Sequence, residues 1–280
     1  MKTDLIYGVE DRPPFKDAIF AALQHLLAIF VAIITPPLII AGALKLDVEK
    51  TSFLVSMSLF VSGISTFIQC KRFGPVGARL LCIQGTSFSF IGPIITTGLM
   101  GGLPLIFGVC MAAAPVEMVI SRTFRYMRNI ITPLVSGIVV LLIGLSLIKV
   151  GVVSCGGGYG AMDNGTFGSW ENLSIAGLVL LSVLFFNRSK NKYLRMSSIV
   201  LGICLGYGLA FALGKVDMSS LNLNLLTSFN IPMPFKYGLD FNISSFIAIG
   251  LVYLITAIEA TGDVTANSMI SGLDIEGEGY

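Results

Sequence analysis

Residues 79–121 read RLLCIQGTSFSFIGPIITTGLMGGLPLIFGVCMAAAPVEMVIS, and only Arg79 and Glu117 in that stretch carry charge. A helix needs about 20 apolar residues to cross the hydrocarbon core of a bilayer. The stretch therefore holds two crossings, 79–99 and 102–121, with Gly101-Gly102 as the turn between them. Its first half is interrupted by Gln84, Gly85, Thr86, Ser87, Gly92 and Pro93. Glycine and proline weaken a helix, and polar side chains can satisfy the backbone groups set free. Unwound backbone beside a half-helix is a common way to build a transport site at the membrane midplane. Aromatic rings in such a segment can stack on a planar ligand. A kinked helix with small-residue packing would give the same pattern.

Outward from this stretch, apolar runs mark further spans at 17–36, 51–69, 130–149, 172–187, 197–214 and 243–262. Turn formers separate them: Pro36-Pro37, the glycines at 156–158, and a longer connection over 215–240 holding Pro232 and Pro234. The expected fold is an all-α polytopic membrane protein of about eight transmembrane helices. Composition agrees. The 280 residues are 54% hydrophobic and 12% charged, with mean hydropathy +0.85, whereas a soluble domain is about 25% charged. Such a chain has too little interior to hide its apolar surface, so the bilayer must be its solvent.

The net charge of +2 forms no nucleic-acid patch. Cys70, Cys82, Cys110, Cys155 and Cys204 are scattered, without a CxxC pair, and read as reduced packing residues. The first residues lack the basic, apolar and small-residue order of a cleaved signal peptide. No HExxH, no clustered metal ligands and no Ser–His–Asp set point to an enzyme or to a cofactor.

Basic residues set the orientation. Lys2, Arg12 and Lys16, then Lys71, Arg72 and Arg79, then Arg122, Arg125 and Arg128, then Arg188, Lys190, Lys192 and Arg195 fall on one side. Lys45, Lys50, Lys149, Lys215 and Lys236 fall on the other. The N-terminus is expected to be cytoplasmic, in a cell (plasma) membrane. Residues 1–16 then form a cytoplasmic segment, 17–262 the transmembrane region, and 263–280 a cytoplasmic tail.

A polar group at mid-bilayer is costly enough to be a functional candidate. Gln24-His25 lie in the first span, and His25 is the only histidine. It can relay a proton, hold a backbone carbonyl, or bond two helices together. In the last span Glu259 and Asp263 are four apart and share a helix face. Two carboxylates that close in a low dielectric resist ionising together, so one can load and release a proton. Carboxylates also accept the N–H donors of a nucleobase. Alternatively, Asp263 lies at the interface and only Glu259 is buried, or both sit on the solvated end of the chain. Glu117 reads as an interfacial residue paired to the basic loop that begins at Arg122.

Gln24-His25, Gln84-Gly85-Thr86-Ser87-Phe88 and Glu259-x-x-Gly262-Asp263 together resemble the span-one, span-three and span-eight signatures of the nucleobase–ascorbate transporter family, also called nucleobase:cation symporter-2. The resemblance covers essentially the whole chain. It implies fourteen spans in two inverted repeats of seven, divided between a core and a gate domain, with a short extended segment in a broken third span. Here the first repeat and the opening helix of the second are expected, with the rest missing after Tyr280. The resemblance implies that Glu259 hydrogen-bonds the base, Phe90 stacks on it and Ser89 beside it influences specificity. Asp263, His25 and Gln24 would support the site and the proton coupling. Asp263 resembles the branch that takes xanthine or uric acid, where a uracil-type relative tends to carry histidine. The implied activity is proton-coupled symport of a purine, by a protein that pairs as a homodimer. A uracil or anion transporter of the same fold, or an inactive truncated fragment, are the alternatives, although paired carboxylates would repel an anion.

Overall fold

A computed structural model describes residues 7–8, 11–71, 73–74, 76–127, 133–191, 194–195, 197–216, 233 and 235–271. The side chains of some helical residues, Gln24 among them, lie outside this description, as does the end of the expected tail. The described elements are helical: α1 (Phe15–Ala43), α2 (Val48–Lys71), a 3-10 turn (Phe88–Phe90), α3 (Ile91–Met127), α4 (Pro133–Cys155), α5 (Gly158–Asp163), α6 (Trp170–Asn187), α7 (Ser198–Ala212) and α8 (Ile243–Ile270). In lipid a helix satisfies its own backbone, which is why the apolar runs take this form. Among the described residues, four stretches are long and apolar enough to cross a membrane: Val48–Lys71, Phe88–Arg122, Trp170–Asn187 and Ile243–Val264. The chain is an all-α, multi-pass membrane protein.

The stretch Phe88–Arg122 is 35 residues long, well beyond the roughly 20 that one crossing takes. It contains the second half of expected span three and all of span four, broken where the sequence places the turn; the first half of span three, at 81–87, forms no helix. Gly101 (φ −149°, ψ 16°) and Gly102 (φ 66°, ψ −160°) leave helical geometry. The left-handed φ of Gly102 suits glycine, which has no Cβ to clash.

Three boundaries differ from expectation. Pro36 and Pro37 do not end a span; both are buried inside α1, which continues to Ala43. Proline lacks the N–H that would bond the carbonyl four residues back, so Pro37 frees the Ile33 carbonyl. The Thr86 hydroxyl donates to that oxygen at 2.9 Å. The glycine run at 156–158 does turn the chain, with φ 112° at Gly157 and 79° at Gly158, but leads at once into the short α5. The last helix passes through Asp263 to Ile270 instead of ending at 262.

The chain divides into two compact units. The first comprises 1–14, 33–147 and 233–280. Its core joins Leu105, Val109 and Ala113 of α3 to Ile249 of α8, with Phe90, Ile94, Cys110, Phe246 and Tyr253 packed around them. The segment before α8 lies against α3: Asp240 N–H donates to Pro104 O at 2.9 Å, and a Cβ on Gly108 would meet Asp240 O at 1.8 Å.

The second unit comprises 15–32 and 148–232. There α6 packs on α7 through Gly202 and Gly206, where an added Cβ would meet Val183 Cγ2 at 2.5 Å and Val179 Cγ2 at 2.3 Å. Such close approach of small residues is how helices associate in lipid. Leu180, Leu181 and Phe185 of α6 stay exposed, an apolar face that suits a lipid solvent.

Candidate functional site

Between the bend at Arg79–Leu80 and the 3-10 turn, residues 81–87 form no helix, and Ser87 is extended (φ −92°, ψ 134°). Backbone groups removed from water need partners, and side chains supply them. Ser62 Oγ of α2 donates to the Gln84 carbonyl. Thr66 Oγ1, one turn further along α2, accepts from Gln84 N–H at 2.9 Å. Asn267 Nδ2 of α8 donates to Leu81 O at 2.8 Å. The side chain of Ser87 accepts from Ser89 N–H at 3.3 Å and opens the helical turn. Gly85 passes close to α1, where a Cβ would lie 3.3 Å from Ile33 Cγ1. The extended segment expected in the broken span is thus held by α1, α2 and α8.

Helix α8 presents Glu259, Asp263 and Asn267 at intervals of four, one stripe on one face. All three address the broken span. Glu259 interacts with Ser89 and with Asp263. Asp263 and Asn267 stand within electrostatic reach of Cys82, and Asn267 bonds Leu81 O. Ser89 Oγ is buried and closes no hydrogen bond of normal geometry; it stands within electrostatic reach of the Glu259 carboxylate instead. The expected burial of the acid pair is not met, for Glu259 and Asp263 are both exposed. The described elements packed on α8, the segment 81–90 and α3, bury other residues of the helix.

Phe90 meets Tyr253 of α8 edge to face, with ring centroids 4.9 Å apart. Both rings line a mostly apolar cavity of about 370 Å³, together with Pro36, Pro37, Thr86 and Ser87. Glu259 and Ser89 do not line that cavity. Phe90 thus lines the apolar hollow, while its chain neighbour Ser89 lies within electrostatic reach of Glu259.

His25 is described with the second unit. It is exposed and sets Nδ1 2.9 Å from the Ala21 carbonyl of its own helix, so it holds a backbone carbonyl, one of its expected roles. The side chain of Gln24 lies outside the described residues. Glu117 is not paired to Arg122. It faces α8, within electrostatic reach of the Thr256 side chain. Sequence reasoning missed Ser62, Thr66 and Asn267. Ser62 and Thr66, four apart on an apolar helix, carried a readable signal, whereas Asn267 continues the spacing of Glu259 and Asp263 by one more turn. Among the described residues no group of three His, Cys, Asp or Glu side chains could hold a metal ion.

Comparison with known proteins bears on this geometry. The family described as "Permease family" (Xan_ur_permease) matches residues 16–279. The xanthine permease XanQ of Escherichia coli K12 is 46% identical over 291 residues, which cover 99% of this chain and 61% of that protein. XanP, a second xanthine permease of that strain, is 47% identical over 289 residues, covering 99% and 62%. The nucleobase transporter PlUacP of Paenibacillus larvae is 34% identical over 250 residues, covering 89% and 56%. The chain thus spans about three fifths of the length of the curated relatives it matches. On the family match and on these identities, the chain belongs to the xanthine/uracil permease group, the nucleobase–ascorbate transporter family.

Proposed function

We propose that the chain carries the base-binding face of a proton-coupled purine symporter, with xanthine or uric acid as the substrate class. The observation that supports this most is the approach of Ser89, the chain neighbour of Phe90, to Glu259. A carboxylate only accepts hydrogen bonds, and a hydroxyl can donate one. Side by side, they complement an edge on which N–H and C=O alternate, as they do in an oxidised purine. Phe90 offers its ring to the flat face of the same base. Asp263, one turn beyond Glu259, helps one of the two acids to carry a proton. Gln24 and His25 support the coupling from α1. The carboxylates disfavour an anionic substrate of the sulfate type.

In this reading the N-terminal segment 1–16 and the tail 263–280 are cytoplasmic and 17–262 lie in the plasma membrane, with parts of a core and a gate domain. The functional protein pairs as a homodimer. The test is uptake of radiolabelled xanthine into cells that express the chain, with and without a protonophore, alongside xanthine binding to their membranes. Binding competed by unlabelled xanthine, and uptake that collapses with the proton gradient, is the expected result. Absence of both, with the chain shown in the membrane, overturns the assignment for this chain.

A further inference from the structure

Helix α8 touches the broken third span at two places whose geometry is fixed. Near the end of the helix, Asn267 Nδ2 donates to the Leu81 carbonyl at 2.8 Å. Nearer its start, the Tyr253 ring meets Phe90 edge to face, with centroids 4.9 Å apart. Residue numbers rise along the broken span as they fall along α8, so the two run antiparallel. The helix is continuous between Tyr253 and Asn267, which puts the two contacts about 21 Å apart along its axis. Glu259 lies between them, about 9 Å beyond Tyr253 and about 12 Å short of Asn267.

The two contacts constrain the helix differently. Ring pairs are favourable over centroid separations of about 4.5–7 Å, so the Phe90–Tyr253 pair tolerates a slide. A hydrogen bond is short and directional, and a single polar group can set the register of packed helices. A slip of α8 by one residue would move Glu259 by about 1.5 Å and turn it by about 100°. The Asn267 amide would leave the Leu81 carbonyl in the same step.

The carbonyl end of this bond is anchored as well. Gln84, one short step along the segment from Leu81, is held on α2 through both of its backbone groups. Ser62 Oγ donates to its carbonyl, and Thr66 Oγ1 accepts from its N–H at 2.9 Å. The segment is therefore fixed to α2, and Asn267 fixes α8 to the segment. Leu81 is exposed and Asn267 half-buried; the hydrogen bond, rather than core packing, registers them.

We propose that Asn267 is a positioning residue of the base site: by clamping Leu81 to α8 it sets the height and rotation of Glu259 relative to Phe90. The functional half of this statement rests on the reading of Glu259 and Phe90 as base-binding groups. The clamp itself does not.

The test uses the 280-residue chain in liposomes, with Cys70, Cys110, Cys155 and Cys204 replaced by alanine so that Cys82, the neighbour of Leu81, is the remaining thiol. The two readouts are the rate at which N-ethylmaleimide alkylates Cys82 and the affinity for xanthine. Asn267→Leu, of similar size but without the donor, is expected to speed alkylation severalfold. It is also expected to weaken xanthine binding about three- to tenfold, the worth of one hydrogen bond. Asn267→Ala repeats the measurement where Asn267→Leu folds poorly. Gly206→Ala, a packing change in the other unit, leaves both readouts unchanged, which separates release of the clamp from a general loss of stability. Unchanged alkylation in folded Asn267 variants overturns the clamp. Faster alkylation with unchanged xanthine affinity overturns the positioning role. A wild-type chain that binds no xanthine overturns the purine reading and the positioning role with it, and the alkylation rates then decide the clamp alone.

Discussion

The α6–α7 seam and the α3–α8 seam solve one problem in two ways. Both join apolar helices for which burial from lipid offers no hydrophobic gain. In the second unit the answer is shape, with Gly202 and Gly206 of α7 lying against the branched Val183 and Val179 of α6. In the first unit the centre is also apolar, at Val109, Ala113 and Ile249, but polar groups ring it. Tyr253 bonds Cys110, Thr256 stands within reach of Glu117, and Glu259 reaches towards Ser89. A seam built on shape has one arrangement that fits. A seam built on hydroxyls and carboxyls can exchange partners as protons come and go. The chemistry of the chain is concentrated in the second kind.

The largest expected effect breaks the polar seam. Glu259→Gln is expected to abolish purine binding while membrane expression persists, measured by xanthine binding to membranes; unchanged affinity would remove Glu259 from the base. Phe90→Ala sharpens the division of labour between ring and carboxylate. It is expected to weaken xanthine binding by about 1–3 kcal/mol, the range for a base stacked on an aromatic side chain, and an unaltered dissociation constant sinks the stacking role. The shape seam is broken by Gly206→Ala, whose Cβ would stand 2.3 Å from a stiff Val179 methyl. Overpacking of that kind costs about 1–3 kcal/mol. It should lower the melting temperature in detergent and leave xanthine affinity of the folded fraction unchanged.

A smaller effect belongs to Thr86. Thr86→Val removes the donor to the Ile33 carbonyl and is expected to cost about 1 kcal/mol in stability. Pro37→Ala, which returns a backbone N–H to that carbonyl, should reduce this cost in the double variant. Purely additive melting shifts would show that the two residues do not share the acceptor.

The smallest effect lies outside the membrane. Lys50 bonds the Asp47 carboxylate through its backbone N–H at 2.8 Å and its ammonium at 2.6 Å, which holds that carboxyl below the usual aspartate range. A lowered carboxyl contributes stability above its ordinary pKa and loses it as the pH falls through the lowered value. Asp47→Asn should therefore leave melting unchanged in strong acid and lower it slightly near neutrality, an effect that salt diminishes.

Much of this was legible in the sequence because lipid forces helices and helices need length. The runs around α2, α6 and α7 fall within a few residues of expectation, and the break in the third span was announced by Gln84, Gly85 and Pro93. Pro36-Pro37 misled, since a missing N–H ends a helix only when nothing else serves the freed carbonyl, and Thr86 lies far away in sequence. For the same reason the sequence paired Glu117 with the basic loop that begins at Arg122, whereas Arg122 itself makes no ion pair with it among the described residues and Thr256 of α8 stands within its reach. The pairing of Glu259 with Asp263 was readable from spacing; the reach of Glu259 to Ser89 and of Asn267 to Leu81 depends on which elements pack together.

The shared acceptor of Thr86 and Pro37 bears on how such a sequence can drift. Exchange of the proline first supplies a second donor and makes the hydroxyl redundant, after which the threonine is free to vary. Exchange of the threonine first strands a buried carbonyl. The two substitutions do not commute, so lineages descending from this chain have a low road and a high road between the same two genotypes.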